Sequence, residues 1–503
     1  MTDNTWVLEG LKLAKPELAL VASILVVILA DLANLRKTAA FFTLLGLFFG
    51  AWLTGQLLWP EASTGERLAD PINKLAFRDA YKVDGFANYF KLMFLLSSLV
   101  VTVFSIPAIK DWTSGKGEFF TLLLSCTFGM MLMAGANDLL MMYLSLEFVS
   151  ITSYIMAGFL RKNRKSAEAS LKYIIYGAAA SGFMIYGMTF LYGLTGSLNV
   201  EAIGLSIAKN PPQATMTLIT SVLIMAGFGY KIAAVPFHMW CPDVYEGAPT
   251  PVTAFFSVGP KAAGFAMLAR FLHEVYRSEP GGAAFEWKLV IALLAVLTMA
   301  VGNFAALHQQ NLKRLLAYSS IAHAGYLLVA FVAFTPGALS ALLFYLVIYV
   351  VMNVGAFLVV LVLEQKYGIE TVDGCRGMGW RSPMLGAVMT VFLFALTGLP
   401  PTAGFAGKFL VFSEVIKYGA NPNQPHALGV ALVIVALVFS VISLFYYMRI
   451  AAAMYLAKPR EGEAPEVSPG PVYGALLLLL AAGTLILGVF WGPLQQLTEK
   501  ASF

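Results

Sequence analysis

Seven ionisable side chains sit inside or beside apolar runs where each needs a reason to be. Glu147 lies in LMMYLSLEFVSITSYIMAGF, with no other charge between Asp138 and Arg161. Lys231 lies in LIMAGFGYKIAAVPFHMW, Lys261 in VTAFFSVGPKAAGFAML and Lys408 in FALTGLPPTAGFAGKFLVF. A charge at the centre of a bilayer costs about 2.5–3.5 kcal/mol on insertion scales, so such groups face protein or water and usually carry function. The plainer reading of each is a buried pair that fixes helix packing, or a lysine snorkelling to an interface; their depth argues against the second. A carboxylate and several amines at membrane depth are suited to one kind of chemistry, the exchange of protons along a chain of coupled groups. His238, seven residues beyond Lys231, could carry or relay a proton near neutral pH, or simply be a hydrogen-bonded residue at a span end. Lys172 has Glu168 four residues earlier, so an interfacial salt bridge competes with a role in transport. His323, in SSIAHAGYLL, is either a relay or a packed histidine.

Other chemistries are excluded by pattern. The five histidines (His238, His273, His308, His323, His426) show no i,i+3 or i,i+4 pairing with one another. Cys126, Cys241 and Cys375 lie far apart, and no C-x-x-C occurs. No G-x-x-x-x-G-K-[ST] loop is present. A metal, haem, iron–sulfur or nucleotide site is therefore not expected in this chain.

The elements that must hold these side chains are membrane spans. Of 503 residues, 59% are hydrophobic and only 12% charged, against roughly 25% charged in a soluble protein. That rules out a water-soluble enzyme, a nucleic-acid binder and a disordered chain. The net charge of +5 (33 basic, 28 acidic) is too small and scattered to imply a polyanionic partner. Runs long enough to span, at about 20 residues each, number about fourteen. They centre on 18–34, 39–59, 86–108, 118–134, 138–160, 168–194, 215–240, 252–273, 288–307, 314–334, 338–363, 384–416, 427–455 and 471–492. The runs lack the period-2 alternation of a β-barrel. The first run is read as an anchor and not a signal peptide, since Asp3 and Glu9 precede it and thirteen spans follow. Odd-numbered loops hold most of the Lys and Arg, including Arg36, Lys37, Arg161, Lys162, Arg164, Lys165, Lys313, Arg314 and Arg460. Even-numbered loops hold fewer, among them Arg67, Lys74, Arg78, Lys82, Lys209, Arg277 and Lys417. Odd loops are thus placed in the cytoplasm and both termini outside.

Two runs are over-long and broken by proline: the seventh, around Pro236, and the twelfth, around Pro400 and Pro401. Proline has no N–H for the carbonyl four residues back, which frees Ile232 in the first case and Leu396 and Thr397 in the second. Broken helices at membrane depth expose polar backbone and admit water. The two breaks fall five spans apart, each with one buried lysine. Spans four to eight and nine to thirteen are the natural units, and an odd number of spans makes consecutive units point in opposite directions. The expectation is an all-α polytopic membrane protein of about fourteen helices with two inverted five-helix repeats. The divisions are 1–110 (helices one to three), 111–280 (first repeat), 281–457 (second repeat) and 458–503 (last helix).

The residues that carry this pattern also carry a resemblance. LSLEFVSITSYIMAGF, SLKYIIYGAAASGFMIYGMTFLYGLTGS, GYKIAAVPFHMWCPDVYEGAPTPVTAFFSVGPKAAGF, NLKRLLAYSSIAHAGYLL and LTGLPPTAGFAGKF run from about residue 118 to about 415. They resemble the antiporter-like membrane subunits of respiratory complex I (NADH-quinone oxidoreductase), and among these most nearly the N type. The resemblance implies a pair of Glu147 with Lys231, a central Lys261 and a terminal Lys408, where the M type has glutamate. It adds weight to Lys172 and His238, which fall on matching positions, and places His323 on a family histidine. It implies a proton-translocating subunit without cofactor, in a bacterial inner membrane, driven by partner subunits that lead to an NADH-oxidising arm. On that view a proton enters from the cytoplasm near Lys231 and His238, passes Lys261 and leaves outside by way of Lys408, while Glu147 sets the charge of Lys231. The rival readings are a subunit of a multisubunit cation/proton antiporter or of a membrane-bound hydrogenase, which share these motifs, and a scaffold that spaces pumping subunits.

Overall fold

The computed structural model describes residues 5–35, 38–59, 73–110, 112, 115–210, 212–276, 287–420, 427–459 and 468–502. Arg36, Lys37, Arg67, Arg277, Arg460, His426 and the expected divisions at 111 and 280–281 lie outside these residues. The helices are α1 (Thr5–Leu13), α2 (Lys15–Leu32), α3 (Ala39–Leu58), α4 (Gly85–Ala108), α5 (Lys116–Gly135), α6 (Leu139–Ala157) and α7 (Arg164–Thr195). Next come α8 (Val200–Lys209), α9 (Ala214–Ile232), α10 (Trp240–Gly247), α11 (Thr250–Val275), α12 (Trp287–Leu307), α13 (Leu312–Ala333) and α14 (Pro336–Tyr367). The chain ends with α15 (Met378–Arg381), α16 (Pro383–Thr397), α17 (Ala403–Gly419), α18 (Ala427–Tyr455), α19 (Pro471–Val489) and α20 (Gly492–Ala501).

Among the described residues, 12 helices are long and apolar enough to cross a membrane. α1 and α2, bent by 79° at their junction, together make up to a thirteenth. The stretch 384–416, expected as one span, is two shorter helices, α16 and α17, of which α16 is the apolar one. The fold is therefore the expected polytopic helical one. Its departure is a small antiparallel hairpin, β1 (Lys74–Ala76) against β2 (Tyr81–Val83). Phe77, Arg78 and Asp79 turn it with positive φ. The alternating burial of Tyr81, Lys82 and Val83 fits a strand with one covered face.

Polar residues start the helices where the sequence leaves the membrane. Asp84, Asp138, Asn163 and Asn311 each accept a hydrogen bond from a backbone N–H of the first turn, the N-cap arrangement. The main core is a continuous apolar cluster from Leu20 to Ala501, with a small second cluster of Ala76, Tyr81 and Val83 at the hairpin. α11 and α13 are buried almost throughout, and α3 and α18 mostly face outward. Pro260 sits inside α11 without ending it.

Both expected breaks are present and share a design. α9 ends at Ile232, Ala233 takes a left-handed φ of 60°, and a cis Val235–Pro236 bond follows. α16 ends at Thr397, Gly398 takes φ 90°, and a cis Pro400–Pro401 bond follows. A left-handed conformation costs an L residue roughly 1–2 kcal/mol, so the surroundings of Ala233 must hold it. They do so by polar contacts: Val235 N donates to Thr298 Oγ1 at 3.0 Å, and Trp240 Nε1 donates to Tyr230 O at 3.0 Å.

Candidate functional site

The first buried group is held between α6 and α9. Lys231 is buried in the last turn of α9, and its Nζ donates to Ser150 Oγ at 3.1 Å. Ser150 lies one turn beyond Glu147 on α6. Glu147 is half-buried, and its Oε1 is enclosed without a hydrogen-bond partner among the described residues. No ion pair within 4.0 Å joins Glu147 to Lys231. The pair implied by resemblance is therefore open in this structure, with Ser150 occupying the lysine.

Lys261, in the middle of α11, is the next. Its Nζ donates to Ser320 Oγ of α13 at 2.5 Å and to Cys241 Sγ of α10 at 3.7 Å, and stands 5.3 Å from the Tyr245 ring centroid. The second half of the broken seventh span thus leans directly on the central lysine. His323 follows one turn along α13 from Ser320 and is buried. Its Nδ1 meets Tyr345 OH at 2.8 Å and its Nε2 meets Tyr447 OH at 3.3 Å.

Lys408 lies just after the second break. Its Nζ donates to Thr397 O at 2.8 Å, Leu396 O at 3.4 Å and Ser440 Oγ at 3.2 Å, and sits 4.5 Å from the Tyr326 ring centroid. Leu396 and Thr397 are the two carbonyls that the prolines free, so the lysine caps the end of α16 that the break leaves open.

Two expected residues fall elsewhere. Lys172 is partly exposed on a rim, bonded to Glu168 at 2.7 Å and Asp243 at 2.7 Å. Arg314 holds Asp243 at 2.6 Å and Glu246 at 3.1 Å in the same cluster. With Lys165, these groups line a cleft of ≈ 260 Å³ between α7, α10 and the start of α13. The interfacial salt bridge read from the sequence is present, and no contact joins Lys172 to the buried lysines. His238 lies in the turn between α9 and α10, half-buried, its Nδ1 enclosed and without a partner among the described residues. It bonds to neither Lys231 nor Lys261.

Other buried charges were not singled out by sequence. Lys91 pairs with Glu17 at 2.8 Å, and Tyr81 OH donates to Glu17 at 2.6 Å. Arg270 grips Asp84 through Nη1 and Nη2 at 2.9 and 3.0 Å. Lys82 meets Glu274 at 3.0 Å, and Lys313 meets Glu364 at 3.2 Å. All lie within about two turns of a helix end, where a charge in the sequence reads as interfacial. Their signal was the opposite sign waiting on another span.

Residues 136–448 match the family described as NADH:quinone oxidoreductase/Mrp antiporter, TM. A chain from Sorangium cellulosum named NADH-quinone oxidoreductase subunit N 2 is 43% identical, over 97% of this chain and 96% of that one. The chain belongs to the NADH-quinone oxidoreductase subunit N family. A subunit N from Anaeromyxobacter sp. is 40% identical over 97% of this chain and 95% of its own. A chain of respiratory complex I from Thermus thermophilus superposes with a TM-score of 0.76 at 33% identity, covering 96% of this chain and 98% of that one. A chain of the Mrp complex from Dietzia sp. superposes at 0.81 with 20% identity, covering 98% and 97%, which shows the shared fold alone. Membership of the subunit N family thus favours the complex I reading over the carrier.

Proposed function

We propose that this chain is a proton-translocating subunit of NADH-quinone oxidoreductase. On this reading it sits in a bacterial inner membrane with both termini in the periplasm. It binds no cofactor, and the redox energy reaches it through other subunits of the complex. One contrast carries the reading. Lys91 and Lys313, also buried, are each clamped to a carboxylate. Among the described residues, Lys231, Lys261 and Lys408 have only neutral partners within hydrogen-bond reach: hydroxyls, a thiol and backbone carbonyls. An ammonium clamped to a carboxylate in an apolar interior is fixed, because separating the pair costs several kcal/mol. One held by dipoles alone can gain and lose its proton without stranding an opposite charge.

A proton taken up from the cytoplasm at the first break reaches Lys231. When Glu147 approaches, the carboxylate replaces Ser150 as partner and holds the charge on Lys231. When it withdraws, the redox energy delivered by the partner subunits meeting the cost of parting the pair, Lys231 passes the proton inward to Lys261. From there it travels through the second repeat to Lys408 and leaves on the opposite side.

The test uses the assembled complex in inverted membrane vesicles. Lys261→Ala and Lys408→Ala should each lower the protons translocated per NADH oxidised while the complex still assembles. An unchanged ratio in both assembled variants would end the proposal.

A further inference from the structure

Between Lys261 and Lys408 lies a stretch of α13 and α18 with several buried hydroxyls. α18 turns Ile434, Val441 and Phe445 outward. Ser443, Tyr446 and Tyr447 are nonetheless buried, and Ser440 reaches Lys408. Residues 440, 443 and 447 share one helix face. Ser440 bonds Lys408 and Tyr447 bonds Ser319 and His323, while Ser443 bonds the Ser440 carbonyl of its own helix.

We propose that Tyr447 is a proton-relay residue, joining Lys261 and His323 to Lys408 through adjoining hydroxyls of α13 and α18. The inference rests on the reading above, that the two lysines carry protons. Lys261 Nζ bonds Ser320 Oγ, and the neighbouring Ser319 Oγ bonds Tyr447 OH. Tyr447 OH also meets His323 Nε2, so one phenol joins a hydroxyl and an imidazole. Beside it, Tyr446 OH donates to Asn303 Oδ1 at 3.1 Å, and Asn303 Nδ2 donates to Tyr326 OH at 3.2 Å. The Tyr326 ring lies under Lys408. The rings of Tyr446 and Tyr447 are 4.4 Å apart.

Two features suit this path to protons. A hydroxyl both donates and accepts, so it can take a proton on one side and release one on the other. His323 is bonded at both nitrogens by phenols, not by a carboxylate or a backbone carbonyl. A carbonyl or carboxylate would fix the tautomer of the imidazole. Two phenols leave it free to take a proton at one nitrogen and give one up at the other. The balance is simple: Lys261 loses one proton and Lys408 gains one, each hydroxyl and the imidazole ends with the protons it began with, its hydrogen bond reversed, and Asn303, an amide, only positions the phenols of Tyr446 and Tyr326 and carries no proton itself.

The experiment is Tyr447→Phe in the assembled complex, beside Lys408→Ala. Phenylalanine keeps the ring and its packing and removes only the oxygen. Protons translocated per NADH should fall to the level of Lys408→Ala, with the amount of assembled complex unchanged. A normal ratio in Tyr447→Phe, with Lys408→Ala impaired, overturns the relay and leaves the wider reading intact. A normal ratio in Lys408→Ala removes the wider reading and the relay with it. If Tyr447→Phe does not assemble, Ser319→Ala decides: it removes the other end of the same hydrogen bond, and normal translocation there overturns the relay.

Discussion

Lys231 has one hydrogen-bond partner, Ser150, and one carboxylate close by on the same helix, Glu147. On the mechanism proposed above, the two compete for a single ammonium. Glu147→Gln keeps the shape and removes the charge. The complex should assemble normally, and NADH-driven proton translocation should fall; wild-type translocation in an assembled Glu147→Gln complex would remove Glu147 from the mechanism. The four groups Glu147, Lys231, Lys261 and Lys408 were legible in the sequence for a physical reason. Each stands alone in an apolar run, where its insertion cost of about 2.5–3.5 kcal/mol has no cheap escape. Lys172 was ambiguous for the converse reason: close to a span end, a favourable i,i+4 partner explains it equally well, and the structure adds Asp243 to that bland account. The hydroxyls of Tyr447 and Ser319 gave no signal, since tyrosine and serine are ordinary residues in a helix and only their neighbours in space make them a path.

At the scale of elements, the prolines announced both breaks, because a missing N–H is a property of the residue itself. How closely the broken halves pack was not legible, and it falls on glycine. A Cβ on Gly404 would stand 1.7 Å from Ala395 O, so α17 can return against the end of α16 only without a side chain there. That return places Lys408 on the carbonyls of Leu396 and Thr397. Gly404→Ala should push the two halves apart, draw Lys408 away from Thr397 and reduce both the yield of complex and its proton translocation. Gly483→Ala is the matched control. Its Cβ would meet nothing closer than Val351 at 3.7 Å, and alanine is the better helix former by about 1 kcal/mol. It should leave translocation unchanged and the thermal midpoint equal or slightly raised. A Gly404→Ala complex with the yield and midpoint of the control would show that the close approach is dispensable.

Across the whole molecule, the helices that hold the buried lysines are tied together by charges outside the proposed path. α11 carries Lys261 at its middle and Arg270 nine residues on, and Arg270 reaches across to Asp84, the N-cap of α4. Its Nε also donates to Ala134 O at 3.1 Å, so one guanidinium ties α4, α5 and α11 together. Burial alone would push the Asp84 carboxyl up, but the Arg270 guanidinium, with the Ala87 N–H and Lys82, holds it below its ordinary value. A carboxyl depressed in the folded protein adds stability above its unfolded value, near 3.9, and loses it as the pH falls through the folded one. The clamp is therefore closed throughout the neutral range. Asp84→Ala would remove the carboxylate that both Nη atoms of Arg270 hold, and taking away one partner of a buried pair costs about 3–5 kcal/mol. The double replacement Asp84→Leu with Arg270→Met removes both charges and should recover most of that loss. Thermal midpoints of the purified complex decide it: the single variant should fall well below the wild type and the double variant lie close to it. A midpoint for Asp84→Ala equal to the wild type would mean that α4 is held to α11 without this clamp, and that Arg270 answers to some group other than Asp84.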